Sequence, residues 1–154
     1  MKRTTVLPAL ILALGIAVTG CGGGSDDKTS AADPTPSAIS KADFTTQADA
    51  ICTAGNKTIE EATAALGDNT SQADIAAFVT ETMIPSVQGQ HDAIAALGAP
   101  AGDEDKVAAI LDALQSGIDA LKTDPGAITT AAGSPFADAN RLAADYGLTV
   151  CGAS

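Results

Sequence analysis

A chain of 154 residues is enough for one domain of ordinary size and not for two. Nineteen acidic against eight basic residues give a net charge of −11, which excludes the basic patch or stripe on which nucleic-acid binding depends. One His and three Cys exclude a metal site of the multi-His or four-thiolate kind, and no cofactor is expected.

The chain opens with Lys2 and Arg3, followed by an uncharged apolar run of thirteen residues, 6–18. A membrane-spanning helix needs about 20 such residues, so residues 1–20 are expected to be an export signal and not a span. The run ends at Val18-Thr19-Gly20-Cys21, which resembles the bacterial lipobox. That resemblance implies diacylglycerol on the Cys21 thiol, cleavage that leaves Cys21 as the new N-terminus, and an address on the extracytoplasmic face of the cell membrane. An ordinary secretory signal with an incidental Cys21 is the alternative. Two acyl chains anchor stably where one is marginal. Loss of Lys2 and Arg3 leaves six basic against nineteen acidic residues, a net −13. Anionic headgroups repel such a chain, so the expected membrane partner is the lipid on Cys21 alone.

Residues 22–40 are mostly Gly, Ser, Asp, Thr, Ala and Pro, with Ile39 as the only large apolar side chain. Residues 21–40 are therefore expected to be a lipidated Cys and a flexible tether, with a typical reach of about 25 Å. The folded domain is expected over residues 41–154.

From Lys41 the texture is helical. Ser40 with Asp43 is a relative of the capping box, and Phe44, Ala48, Ile51, Gly55, Ile59, Ala62 and Leu66 recur at intervals of three and four. Gly67-Asp68-Asn69 ends this first helix. Ser71 and Asp74 cap a second, which runs to about Leu97 through Ile75, Phe78, Val79, Met83, Val87 and Ile94, with a kink or break at Pro85. A third begins at Asp103-Glu104-Asp105, acidic residues on the positive end of its dipole, and carries Val107, Ile110, Leu111, Leu114, Ile118 and Leu121. Asp124-Pro125 allows one or two further turns up to Ala132. A fourth main helix is expected from Ser134-Pro135, with Pro135 in its first turn, through Phe136, Ala139, Ala143 and Tyr146 to a Schellman end at Gly147 and Leu148. No segment alternates with period two. The fold class is all-α, an antiparallel bundle of about four main helices.

With Cys21 consumed by lipid, Cys52 and Cys151 remain as an even pair in an exported domain. A disulfide between them would span 98 intervening residues, worth about 4–5 kcal/mol in the chain-entropy view. The competing reading is a reactive Cys52 thiol with His91 as its base, but Cys52 lies inside a helix, away from an N-terminus that would lower its pKa. Asn56, Asn140 and the Tyr146 hydroxyl are the polar groups expected to touch the bundle interior. Of these Asn56 and Tyr146, together with His91, are the candidate ligand-binding residues. Asp103-Glu104-Asp105 lacks the glycine and bidentate Glu of a calcium loop.

Ala48-Asp49-Ala50-Ile51-Cys52-Thr53-Ala54-Gly55-Asn56 and Tyr146-Gly147-Leu148-Thr149-Val150-Cys151-Gly152 resemble segments of small secreted or lipid-anchored helical proteins of actinobacteria. The resemblance implies a helical fold, pairing of Cys52 with Cys151 and an envelope location, and it lends no activity. No nucleophile–base or metal constellation stands out, so an enzyme is not expected. The first reading is a non-enzymatic, lipid-anchored interaction module for an unknown envelope protein or cell-wall component. The alternative is an extracytoplasmic binding protein for a small apolar or cationic ligand held between helices.

Overall fold

The computed structural model describes residues 38–67, 70–129 and 133–153. The export signal, Cys21 and the tether up to residue 37 lie outside the described residues, as do Asp68, Asn69 and residues 130–132. Among the described residues every regular element is helical and none is long and apolar enough to cross a membrane.

The first helix, α1, runs Lys41–Leu66. The Ser40 hydroxyl accepts from the Asp43 N–H at 3.1 Å and donates to the Asp43 carboxylate at 2.7 Å, satisfying one of the donors that a helix start leaves bare. Ile39, counted with the tether by its neighbours' composition, instead packs on the core, so the folded domain begins slightly before residue 41. Of the long apolar stripe only Phe44 and Ala48 are fully buried, and Cys52, beside it, is the third buried residue of α1. The helix continues past the core, and its C-terminal half is covered on one side only.

The second helical run begins with the complete capping box of Ser71 and Asp74. It divides into α2, Gln72–Phe78, a π-helical turn, Val79–Met83, and α3, Ile84–Ala96. The irregularity expected at Pro85 thus lies just upstream of it. Pro85 has no N–H to offer the carbonyl of Glu81, and its ring crowds that turn. Widening the helix by one residue before the proline accommodates both and keeps the run continuous.

Helix α4 runs Glu104–Thr123 and buries Val107, Ile110, Ile118 and Leu121 as its spacing required. Asp103 stands at its N-cap without making a side-chain cap bond; its carboxylate is engaged by Lys106 and Tyr146 instead. Pro125–Thr129 forms one short 3-10 turn. Helix α5 runs Ala137–Tyr146, starting two residues after the expected Pro135, because residues 134–136 form a separate turn closed by the Ala137 N–H on the Ser134 carbonyl at 3.0 Å. Its end is the expected Schellman arrangement. Gly147 takes φ 107°, a conformation that favours glycine, and the Leu148 N–H donates to the Ala143 carbonyl at 2.9 Å, folding Leu148 into the core.

Counting α2, the π turn and α3 as one rod, four helical rods pack α1 on α3, α3 on α4 and α4 on α5. A last 3-10 turn, Cys151–Ala153, returns to α1 and α5. There Cys151 is disulfide-bonded to Cys52 with Cα atoms 5.3 Å apart, joining the C-terminal turn to the middle of α1.

Candidate functional site

The rods do not close completely. A cavity of about 590 Å³, partly open to solvent, lies between α1, α3, α4, α5 and the C-terminal segment. From α1 come Cys52, Asn56, Ile59 and Glu60, one face of the helix by their spacing. The π turn and α3 contribute Met83, Val87, Gln90 and Ile94, again at steps of four, three and four. Ile110 and Leu114 of α4 form the floor, and α5 supplies Ala139, Asn140 and Ala143, with Phe136 just before it. Small side chains on α5 leave space that Leu or Phe in the same positions would fill. Ile59, Met83, Leu114, Ile128 and Phe136 are each only half-buried, so apolar surface faces the open volume.

The wall formed by residues 149–151 is pinned by one carboxylate. Asp49 accepts the Thr149 N–H at 2.9 Å, the Thr149 hydroxyl at 2.8 Å, the Val150 N–H at 3.0 Å and the Cys151 N–H at 3.2 Å. Burial pushes the Asp49 carboxyl up, but the Val150 N–H, the Thr149 hydroxyl and the N–H groups of Cys151 and Thr149 outweigh it and hold its pKa below 3.8. Asp49 and Cys52 therefore fasten the same three residues from neighbouring turns of α1. Residues 48–56 and 146–152 meet at this clasp.

The polar character of the cavity is narrow. Glu60, exposed at the rim, is the only charged side chain lining it among the described residues, and no Lys, Arg or His faces it. Gln90 is its most deeply placed polar side chain, 8 % exposed. Its carboxamide lies across Gly55 of α1, where a Cβ would overlap it, and Ser86 fastens the same crossing by donating to the Gly55 carbonyl at 3.2 Å.

Of the three candidate ligand residues read from the sequence, the structure brings only Asn56 to the cavity. Tyr146 belongs to the opposite, filled part of the bundle. Its ring meets Phe44 edge-on with centroids 5.9 Å apart, and its hydroxyl donates to Asp103 at 3.1 Å. Burial, together with that bond to the Asp103 carboxylate, pushes Tyr146 from 10.0 up to about 12. His91 stands outside the cavity with Nδ1 2.9 Å from the Asp92 carboxylate. Asn140, expected in the interior, does line the cavity. Gln90, Met83 and Phe136 were not singled out by the sequence as site residues. For Gln90 a signal existed: the apolar stripe of α3 skips a beat between Val87 and Ile94, and position 90 is that beat.

Both cysteines of the domain are joined to each other, and no group of three His, Cys, Asp or Glu side chains able to hold a metal occurs among the described residues. No family model, curated protein or solved structure matches this chain.

Proposed function

We propose that the domain is an extracytoplasmic binding protein for a small, mainly apolar ligand, held in the cavity between α1, α3, α4 and α5. The observation that carries this reading is the cavity itself. Its volume of about 590 Å³ falls within the range of small-molecule sites, roughly 300–1,000 Å³. The half-buried apolar groups around it gain about 25 cal/mol for each Å² that a ligand covers. The lipobox resemblance at Cys21 supports an envelope location, with the lipid holding the protein at the membrane and residues 22–37 giving it reach. The same anchor and reach also suit an interaction module for an envelope protein or cell-wall polymer, but a concave apolar site favours a small ligand over a broad surface contact. Binding is favoured over catalysis because the domain's cysteines are spent in a disulfide and its one imidazole stands outside the cavity.

Native mass spectrometry of the protein extracted from its own membranes tests the reading. A discrete co-purified mass, lost on unfolding and absent when Leu114→Trp fills the floor, is the expected result. A bare protein mass, with no uptake of neutral apolar probes, would overturn it.

A further inference from the structure

The proposal that follows rests on the binding reading and names the chemistry of the ligand. Gln90 is more than nine-tenths buried and lines the cavity, yet its carboxamide makes no hydrogen bond with any described residue. Every fully enclosed side-chain nitrogen or oxygen among the described residues has a partner. The unpaired Gln90 amide must therefore reach open space, and at its depth that space is the cavity. Water in the cavity can bond that carboxamide, so a ligand that displaces the water must offer a hydrogen bond in its place or leave the amide unpaired. An aliphatic side chain would satisfy the stripe of α3 without that requirement.

We propose that Gln90 is the recognition group of the site, and that the ligand is an uncharged molecule with an apolar body and one hydrogen-bonding group. The carboxamide offers a carbonyl acceptor and an NH₂ donor side by side, so a hydroxyl, carbonyl or amide on the ligand finds a complement. An anionic head is disfavoured. A carboxylate or phosphate carried to the depth of Gln90 would meet no Lys, Arg or His, and would pass Glu60 on the way. A cationic head finds only Glu60, at the rim and exposed, where water competes for it. Gly55 is the second half of the device: without a Cβ there, the Gln90 side chain lies flat against α1 and its amide is fixed in the wall.

The test uses the full mature chain, residues 21–154 with Cys21→Ser, exported to an oxidising compartment behind a signal that is cleaved without lipidation. Naphthalene, 2-naphthol and 2-naphthoate share one apolar body and differ in the polar group; each is titrated against bound N-phenyl-1-naphthylamine, a neutral fluorophore. In the unaltered chain 2-naphthol is expected to displace the fluorophore at about fivefold lower concentration than naphthalene, the range of one net hydrogen bond. Displacement by 2-naphthoate is expected to need at least about tenfold more than 2-naphthol. Gln90→Leu, similar in volume, should remove the advantage of 2-naphthol and leave naphthalene unchanged or tighter. Equal binding of naphthalene and 2-naphthol to the unaltered chain would overturn the inference while leaving the cavity as an apolar site. So would tight binding of 2-naphthoate, or an equal loss of all three ligands in a folded Gln90→Leu variant. Failure of the fluorophore and all neutral ligands to bind is a different result and would refute the binding reading itself. The series on the unaltered chain decides the point even where the variant does not fold.

Discussion

The two ends of the bundle are built in opposite ways. Around Phe44 and Tyr146 the interior is filled: Phe44, Ala48 and Val107 pack with little or no exposure, and the Tyr146 hydroxyl is taken by Asp103. Lys41 closes this end from outside, its ammonium 4.2 Å above the Tyr146 ring and 4.0 Å from Asp103, while Lys106 holds Asp103 at 2.6 Å. Around Gln90 and Phe136 the same four rods enclose open volume, and a buried amide faces it unpaired. The disulfide and the Asp49 clasp stand at the boundary between the two. In a domain with four aromatic residues, large side chains are scarce, and two of them, Phe44 and Tyr146, are placed together at one end. Aromatic packing is concentrated there, while the aliphatic Val79, Ile118 and Leu121 are buried outside that cluster.

The two ends should respond unequally to substitution. Phe44→Ala should have the largest effect, because it empties a fully enclosed site that α1 and α5 share. Loss of about 3–5 kcal/mol is expected in denaturant unfolding, enough to threaten the fold of a domain this size. A cost below about 1 kcal/mol would mean that the filled end is not the stabilising end.

Breaking the disulfide comes next. Reduction, or Cys151→Ser, is expected to lower stability by about 2–4 kcal/mol, or roughly 8–20 °C in thermal unfolding, with the far-UV spectrum still helical. Both thiols should resist alkylation until a reductant is added. Two free thiols in protein isolated under thiol-trapping conditions would contradict the bond and reopen a reactive role for Cys52.

The Asp49 clasp should give a smaller, pH-dependent effect. Its folded-state pKa lies below the 3.8 of the unfolded chain, so the stability it contributes is present above about pH 4 and is lost as the pH falls through the folded value. Asp49→Asn should cost about 1–3 kcal/mol near neutral pH, since a charged acceptor of backbone N–H groups is replaced by a neutral one. Asp74, Asp92 and Asp103 also titrate below 3.8, so the difference between the two proteins, and not either curve alone, isolates Asp49. That difference should shrink as the pH drops below 4. A difference that stays constant from pH 7 to pH 2 would show that Asp49 acts only by shape.

The filled end was readable from the sequence and the open end was not. Ser40, Ser71 with Asp74, and Gly147 with Leu148 are local devices whose geometry depends on a few neighbouring residues, and each formed as its pattern required. The Cys52–Cys151 bond was expected from the even pair of cysteines that follows residue 21. Pro85 correctly marked an irregular turn, but the compensation moved to Val79–Met83, because a helix can widen anywhere within reach of the obstructed carbonyl. Asp103 does mark the start of α4, and its carboxylate also accepts from Tyr146, through a contact 43 residues away in the chain that no local pattern records. The cavity depends on how far apart the rods stand, which the combined bulk of facing side chains decides and no single stripe records. For that reason Tyr146 and His91 were candidate ligand residues, while Gln90, hidden in the gap of its own stripe, was not.

The most direct test of the open end is to fill it. Ala139 lines the cavity from α5 with a single methyl group, so Ala139→Leu should extend into the open volume. Titration of N-phenyl-1-naphthylamine into the unaltered chain and into Ala139→Leu, with thermal unfolding of both, is the measurement. Saturable fluorescence enhancement is expected in the unaltered chain, with affinity weakened by at least about tenfold in the variant and an unfolding midpoint that is unchanged or higher. No saturable enhancement in the unaltered chain, or a variant destabilised by more than about 2 kcal/mol as overpacking of a filled core would be, would contradict an open cavity.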